Sequence, residues 1–253
     1  MIERTFLIAK GIGKGKESRL WSSGINTWSD FMESSDIPGV KDSKKAEYDL
    51  LFAEAYDLLD DRDCYGLGEM LPPGEQWRLY GRFHDDVAYL DIETDGLERD
   101  STVTVVTIHK KDDTTTLTCE KDLDAGSLSD ALDGVKMLVT FNGRCFDVPV
   151  LKNSFPTVDF DMPHFDLRFG CRKAGLPGGL KKVEVELGLK RDDDISDIDG
   201  EEAVRLWKSW KKNGDSRALE LLTEYNRADT INLERIDDII YGKLVTEHAG
   251  FKW

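Results

Sequence analysis

The sequence predicts a layered α/β or α+β fold in which a sheet is flanked by helices. Three observations carry that expectation. Residues 87–119 hold three successive strand-like runs, Val87–Glu93, Ser101–His109 and Thr114–Cys119, rich in valine and threonine and broken by turn residues. A fourth apolar run, Met137–Phe141, returns only after a helical stretch. From Phe146 onward the apolar spacing changes from two to three and four. Strands in a meander, followed by alternation of strand and helix, are what layered domains are built from.

Each element has its own local reason. Near the N-terminus, Lys10-Gly-Ile-Gly-Lys-Gly-Lys16 is a glycine turn leading into Glu17–Trp21, and Thr27 or Ser29 is placed to cap a short helix. Residues 34–45 are polar, contain Pro38-Gly39, and read as a connection. Over Ala46–Leu59 the apolar side chains Tyr48, Leu51, Phe52, Ala55, Leu58 and Leu59 make one face of an amphipathic helix. Leu71-Pro-Pro-Gly74 ends this region. Beyond the meander, helices are expected over Leu128–Val135, Phe146–Asn153, Leu180–Leu187, Glu201–Lys212 and Ala218–Tyr241. The division that follows is an accessory region over 1–84, small and mostly helical, and a larger domain over 85–253.

Composition narrows the class of function. An apolar fraction of 40% over 253 residues is enough for a packed core. No run approaches the length of a membrane span, and the first residues lack a secretory leader, so a cytoplasmic protein with no membrane partner is expected. Cys64, Cys119, Cys145 and Cys171 are far apart with no C-x-x-C pair, which argues against a disulfide framework or a zinc knuckle. The net charge of −16, taken alone, argues against a protein that coats nucleic acid with a general positive field. A nuclease remains compatible, since its carboxylates add negative charge.

The chemistry sits in three places. In Asp91-Ile-Glu93 both carboxylates share one face of an apolar strand, and anions so close need a cation between them. In Asn142-Gly-Arg-Cys-Phe-Asp147, Asp147 falls where a strand gives way to a helix, a rim from which carboxylates reach ligands, although an aspartate there also serves as a helix cap. In Tyr225-Asn-Arg-Ala-Asp229, the phenol and the carboxylate are stacked one helical turn apart.

Taken in that order, the motifs resemble the DEDD exonuclease superfamily in its tyrosine-containing subgroup, DEDDy. The likeness extends through Tyr89–Leu97, Phe141-Asn-Gly, His164-Phe-Asp-Leu167, Gly179–Glu184, Leu187-Gly-Leu189 and Glu224–Asp229 to the YprB-type ribonuclease H-like nuclease family, over roughly residues 77 to 240. The resemblance implies a ribonuclease H-like mixed sheet flanked by helices. It also implies metal-dependent phosphodiester hydrolysis, typically from a 3′ end, on single-stranded DNA or RNA. By position, Asp91, Glu93, Asp147 and Asp229 would be the metal-binding carboxylates and Tyr225 would orient the attacking water. The histidine subgroup carries a histidine where this chain has Glu224. The implied cofactors are two Mg²⁺ or Mn²⁺ ions about 3.5–4 Å apart, stabilising the attacking and leaving oxygens. By analogy, Leu97 would wedge against the terminal base, and Asn142 and Phe146 would seat the last nucleotide. Two alternatives accompany this reading: an endonuclease or RNA-trimming enzyme with the same site, and a non-catalytic nucleic-acid-binding protein with a degenerate nuclease fold. The presence of every carboxylate and the tyrosine speaks against the latter.

Three further features bear on partners. Gly11-Ile-Gly13 with Lys14, Lys16 and Arg19 is similar to the hairpin of a helix-hairpin-helix, in which backbone N–H groups meet a phosphate, but too few residues precede it for a full first helix. Arg168, Arg172, Lys173, Lys181, Lys182, Lys190 and Arg191 form a basic strip suited to a nucleic-acid backbone. The acidic run at 192–202 does not fit a calcium loop and reads as a solvated segment that caps the next helix.

Overall fold

The computed structural model describes residues 1–96, 98, 100–111 and 113–249. They form two compact units, Met1–His84 with the described residues from Val245 onward, and Asp85–Leu244. Among the described residues, no helix is long and apolar enough to cross a membrane.

The first unit is helical: α1 (Lys14–Ser22), α2 (Trp28–Glu33), α3 (Asp42–Asp60), α4 (Cys64–Met70) and α5 (Tyr80–Phe83), with 3-10 turns over Ile2–Arg4 and Pro73–Leu79. Thr27 opens α2 with a capping box, accepting from the Asp30 N–H while the Asp30 carboxylate takes the Thr27 N–H. The apolar face of α3 buries Tyr48, Phe52, Ala55 and Leu59. Phe52 meets Phe31 at 4.9 Å between ring centroids and Phe6 at 5.7 Å, so an aromatic cluster ties the N-terminal segment to α2 and α3. Gly13 is the N-cap residue of α1. Beneath α1, Glu17 and Glu75 hold the fully buried Arg78, each at 3.1 Å.

The second unit is built on a five-stranded sheet in the order β3-β2-β1-β4-β5. Its strands are β1 (Val87–Thr94), β2 (Val103–Lys110), β3 (Asp113–Thr118), β4 (Met137–Thr140) and β5 (His164–Asp166). The first three pair antiparallel as a meander, whereas β4 runs parallel to both β1 and β5. Around the sheet lie α6 (Ala125–Ala131), α7 (Asp147–Ser154), α8 (Leu167–Lys173), α9 (Leu180–Leu187), α10 (Asp193–Ser196), α11 (Gly200–Asn213) and α12 (Ser216–Ala249). This is the mixed sheet flanked by helices that the sequence predicts.

Both sheet faces are covered, which is why β1 reads as nearly continuous hydrophobic sequence. Ala88, Leu90 and Ile92 pack with Leu128, Ala131, Val150 and Leu151 of α6 and α7. The opposite face belongs to α11 and α12: Val105 packs with Trp207, Leu222 and Tyr225. Asp91 lies opposite Thr107 and Glu93 opposite Val105, and directly opposed residues of antiparallel strands share a face. The two carboxylates are therefore turned toward the Tyr225 side.

The expected elements differ from the observed ones at edges and in short pieces. The helix expected over Leu128–Val135 begins at Ala125, because the Asp124 side chain caps it by accepting from Ser127, and Gly134 at φ 74° lies in the turn beyond it. The last helix runs on to Ala249. The acidic run contains the single turn of α10, and Asp199 caps α11 by accepting from Glu202.

Candidate active site

Three elements bring the expected carboxylates within electrostatic reach of one another. Asp91 and Glu93 come from the C-terminal half of β1, where the β1–β2 register shifts between Glu93 and Thr94. Such a bulge re-aims side chains at the end of a strand. Asp147 is the first residue of α7, delivered by the loop that follows β4. Asp229 and Tyr225 lie one turn apart on α12. Asn226 of the same helix donates to Asp91 Oδ2 at 2.7 Å and so ties β1 to α12.

The loop carrying Asp147 is held by Asp166 at the end of β5. Its carboxylate accepts from Asn142 N (2.8 Å), Arg144 N (3.1 Å) and Arg168 N (3.0 Å). Asn142 is thereby kept at φ 71°, in the left-handed region, and its side-chain oxygen accepts from Arg168 Nη1 at 2.7 Å. Gly143 follows because nothing larger fits: a Cβ there would lie 2.6 Å from Thr140 Cβ. Gly143→Ala should cost about 1–3 kcal/mol by overpacking and displace Asp147, so any activity should fall along with the melting temperature. Retained activity with unchanged melting would show that the loop tolerates the shift.

The electrostatics fit a cation site. Burial first, then the charges of Asp147, Asp229 and Glu93, push the Asp91 carboxyl well above its ordinary range. Burial, Asp229 and Asp147 do the same to Glu93. Asp147 is pushed up to about 8, by burial and then by Asp166. Asp229 is pushed up to about 7 by burial, against the lowering pull of Arg191. Asp147 Oδ2 is buried without a hydrogen-bond partner. Crowded, partly desolvated carboxylates with an orphaned oxygen are the hard donor set that Mg²⁺ or Mn²⁺ takes. Among the described residues no preformed cage of three ligands stands ready, and Arg191 lies against Asp229 instead.

A pH dependence follows for the metal-free chain. Carboxyls raised in the folded state bind protons that the unfolded chain has released, so the folded state holds more protons between the two pKa values. Their contribution to stability is complete below about pH 4, the unfolded carboxylate value. It is lost as pH rises through about 7 for Asp229 and about 8 for Asp147. Thermal melts in chelator should thus fall from pH 5 to pH 8. A flat profile would show that these groups titrate normally.

Several residues here escaped the sequence reading. Arg191, expected in an exposed basic strip, has a side chain only 5% exposed: Nη2 lies 2.6 Å from Glu184 Oε2 and Nη1 lies 2.7 Å from Asp229 Oδ1. Its guanidinium also lies 5.4 Å from the centre of the Tyr225 ring. A buried carboxylate partner removes it from any surface strip. Glu184, Asn226, Asn232 and Asp166 were likewise without a role, although Glu184, Asn226 and Asp166 stand inside motifs that carried the resemblance. Of the residues expected to seat substrate, Asn142 borders the Asp147 loop, whereas Phe146 packs partly buried against the α6–α7 side of the core. Leu97 lies outside the described residues.

Comparison with curated protein sequences gives no match. Among solved structures, the family B DNA polymerase from the hyperthermophilic archaeon Pyrobaculum calidifontis aligns at 14% identity with a TM-score of 0.46, over 61% of this chain. The alignment spans 27% of the polymerase's own length. The sequence itself matches the RNase_H superfamily over residues 88–241, more than half of the chain and a span containing Asp91, Glu93, Asp147 and Asp229. The chain belongs to the RNase_H superfamily.

Proposed function

We propose that the chain is a divalent-metal-dependent 3′–5′ exonuclease acting on the end of a single strand of DNA or RNA. One observation carries the reading: Asp91, Glu93, Asp147 and Asp229 converge closely enough that the charges of Asp147 and Asp229 raise the proton affinity of both Asp91 and Glu93. Bound at these carboxylates, Mg²⁺ or Mn²⁺, two ions per site, would neutralise phosphate charge and lower the pKa of the attacking water. The rest of the work falls to protein groups. Burial and the neighbouring carboxylates push the Tyr225 phenol up, so it stays protonated and can donate or orient but cannot act as a base. Asn226 fixes the rotamer of Asp91 through its 2.7 Å hydrogen bond.

The strand has a physical route to this site. On α8, Arg168, Phe169, Arg172 and Lys173 are exposed on one side, while Leu167, Gly170 and Cys171 are buried on the other. Arginines for phosphates and an exposed ring for base stacking are what an unpaired strand requires. Arg168 reaches Asn142, so this face borders the loop that leads to Asp147. The basic strip read from the sequence contributes here through α8, without Arg191. The 3′–5′ direction rests on the likeness of the motifs to the tyrosine subgroup.

Labelled oligonucleotides test the reading. With Mn²⁺, a 5′-labelled strand should give a ladder shortening by single nucleotides, and a 3′-labelled strand should release mononucleotide from the start. Chelator should abolish hydrolysis, and Mg²⁺ or Mn²⁺ should restore it. Parallel DNA and RNA substrates report the sugar preference. Early internal fragments, or ready cutting of a circular strand, would replace this reading with the endonuclease. Full hydrolysis in excess chelator would remove metal from the chemistry.

A further inference from the structure

Arg191 stands in the site without a part in the chemistry above, and its setting is built with care. The chain leaves α9 through Gly188, in the left-handed conformation, and turns the Arg191 side chain inward. Glu184 Oε2 accepts from Nε at 2.8 Å and lies 2.6 Å from Nη2. Glu184 is itself 2% exposed, and its other oxygen accepts from Asn232 of α12 at 2.7 Å. The guanidinium is thus anchored on one side, with its remaining nitrogen, Nη1, 2.7 Å from Asp229 Oδ1. That contact is a charge contact only, since neither atom has an aligned hydrogen bond.

We propose that Arg191 is a built-in competitor for the divalent cation, a tethered positive charge that holds Asp229 until a metal ion takes that oxygen from it. The inference rests on reading the carboxylates as a metal site. A cation that recruits Asp229 must break the guanidinium contact and then lie near a positive charge that Glu184 and Asn232 keep in place. Both effects oppose binding, so Arg191 sets the concentration of metal at which the site fills. Without metal, the same charge offsets the repulsion among Asp91, Glu93 and Asp229, each of which feels it. The device keeps the metal-free carboxylates together while raising the metal concentration needed to fill the site.

Calorimetric titration of Mn²⁺ into chelator-stripped protein tests this without any assay of hydrolysis. Arg191→Met alone strands Glu184 as a buried unpaired charge, a change that destabilises proteins strongly. The working variant is therefore the double change Arg191→Met with Glu184→Gln, which leaves the net charge unaltered. It should bind Mn²⁺ roughly 10- to 100-fold more tightly than the wild type, the range of a moderate coupling between two ligands of one site. Its Mn²⁺-induced rise in melting temperature should be larger by the same logic. Equal or weaker binding by the double variant, with the wild type binding normally, overturns the competitor while leaving the metal site standing. If neither protein binds Mn²⁺, the metal reading falls and the competitor falls with it.

Discussion

Asp147→Asn should yield a folded chain whose hydrolysis has dropped by about a thousandfold or more, the scale expected when charge stabilisation of the reacting oxygens is lost. Asp147 is 6% exposed, and its Oδ2 meets no hydrogen-bond donor. The amide matches the carboxyl in shape, so packing at the start of α7 is kept, but it cannot hold a cation as an anion does. Stability should move the other way. Burial and Asp166 push the Asp147 carboxyl to about 8, so the wild-type fold is penalised wherever the unfolded chain would ionise. In chelator the asparagine variant should melt above the wild type at pH 8. The margin should close toward about pH 4, where the unfolded carboxyl is protonated too. A variant retaining half of the wild-type turnover would remove Asp147 from the metal ligands. A variant that melts lower at every pH would assign it a structural task instead.

What the sequence revealed, and what it hid, divides along the range of the interactions. The strands β1, β2 and β4 were legible because both their faces are covered, and the edge strand β3 because its sequence alternates. By contrast, β5 is only His164–Asp166, too short to display a period, and α8 follows it without a break. In the first unit, α4 carries Gly66 and Gly68, which read as loop, and Pro72-Pro73 leads into a 3-10 turn that spacing rules do not anticipate. Asp91, Glu93 and Asp229 stand in local motifs whose spacing fixes their direction, i, i+2 on β1 and i, i+4 with Tyr225 on α12, whereas Asp147 was read from its place where a strand gives way to a helix.

Arg191 was not legible, because what matters about it is tertiary. In the sequence it is one cation in a basic run. Only the fold sets it against Glu184, seven residues earlier, and Asp229 on another element. The same holds for Asp166, which the sequence showed only as part of His164-Phe-Asp-Leu167 and whose carboxylate holds the Asp147 loop through the backbone N–H groups of Asn142 and Arg144. Asp237 is a third case. It is fully buried two turns beyond Asp229, and neither of its oxygens has a partner. Burial, with Asp238 and Glu234 nearby, pushes its carboxyl well up.

Tyr225→Phe should reduce turnover by roughly 10- to 1000-fold, the usual cost of losing one group that positions or polarises a reacting atom. The ring is 7% exposed and packs with Leu222 and Trp207 beside Val105, so phenylalanine keeps the apolar contacts. What disappears is the hydroxyl, which hydrogen-bonds the Asp229 carboxyl and lowers its proton affinity. Two consequences can be separated by measurement. Loss of that hydrogen bond raises the Asp229 pKa, so the acid limb of the pH–rate profile should move to higher pH in the variant. Loss of the water-orienting group lowers the plateau rate at every pH, including pH values where Asp229 is fully ionised. Strand binding should hardly change, because phosphate contacts dominate affinity for nucleic acid and Tyr225 supplies none of the exposed cations on α8. A variant with a shifted profile but an unreduced plateau would confine Tyr225 to holding Asp229. A variant that loses strand affinity in proportion to its rate would make the tyrosine part of the substrate cradle, and the attacking water would need another partner.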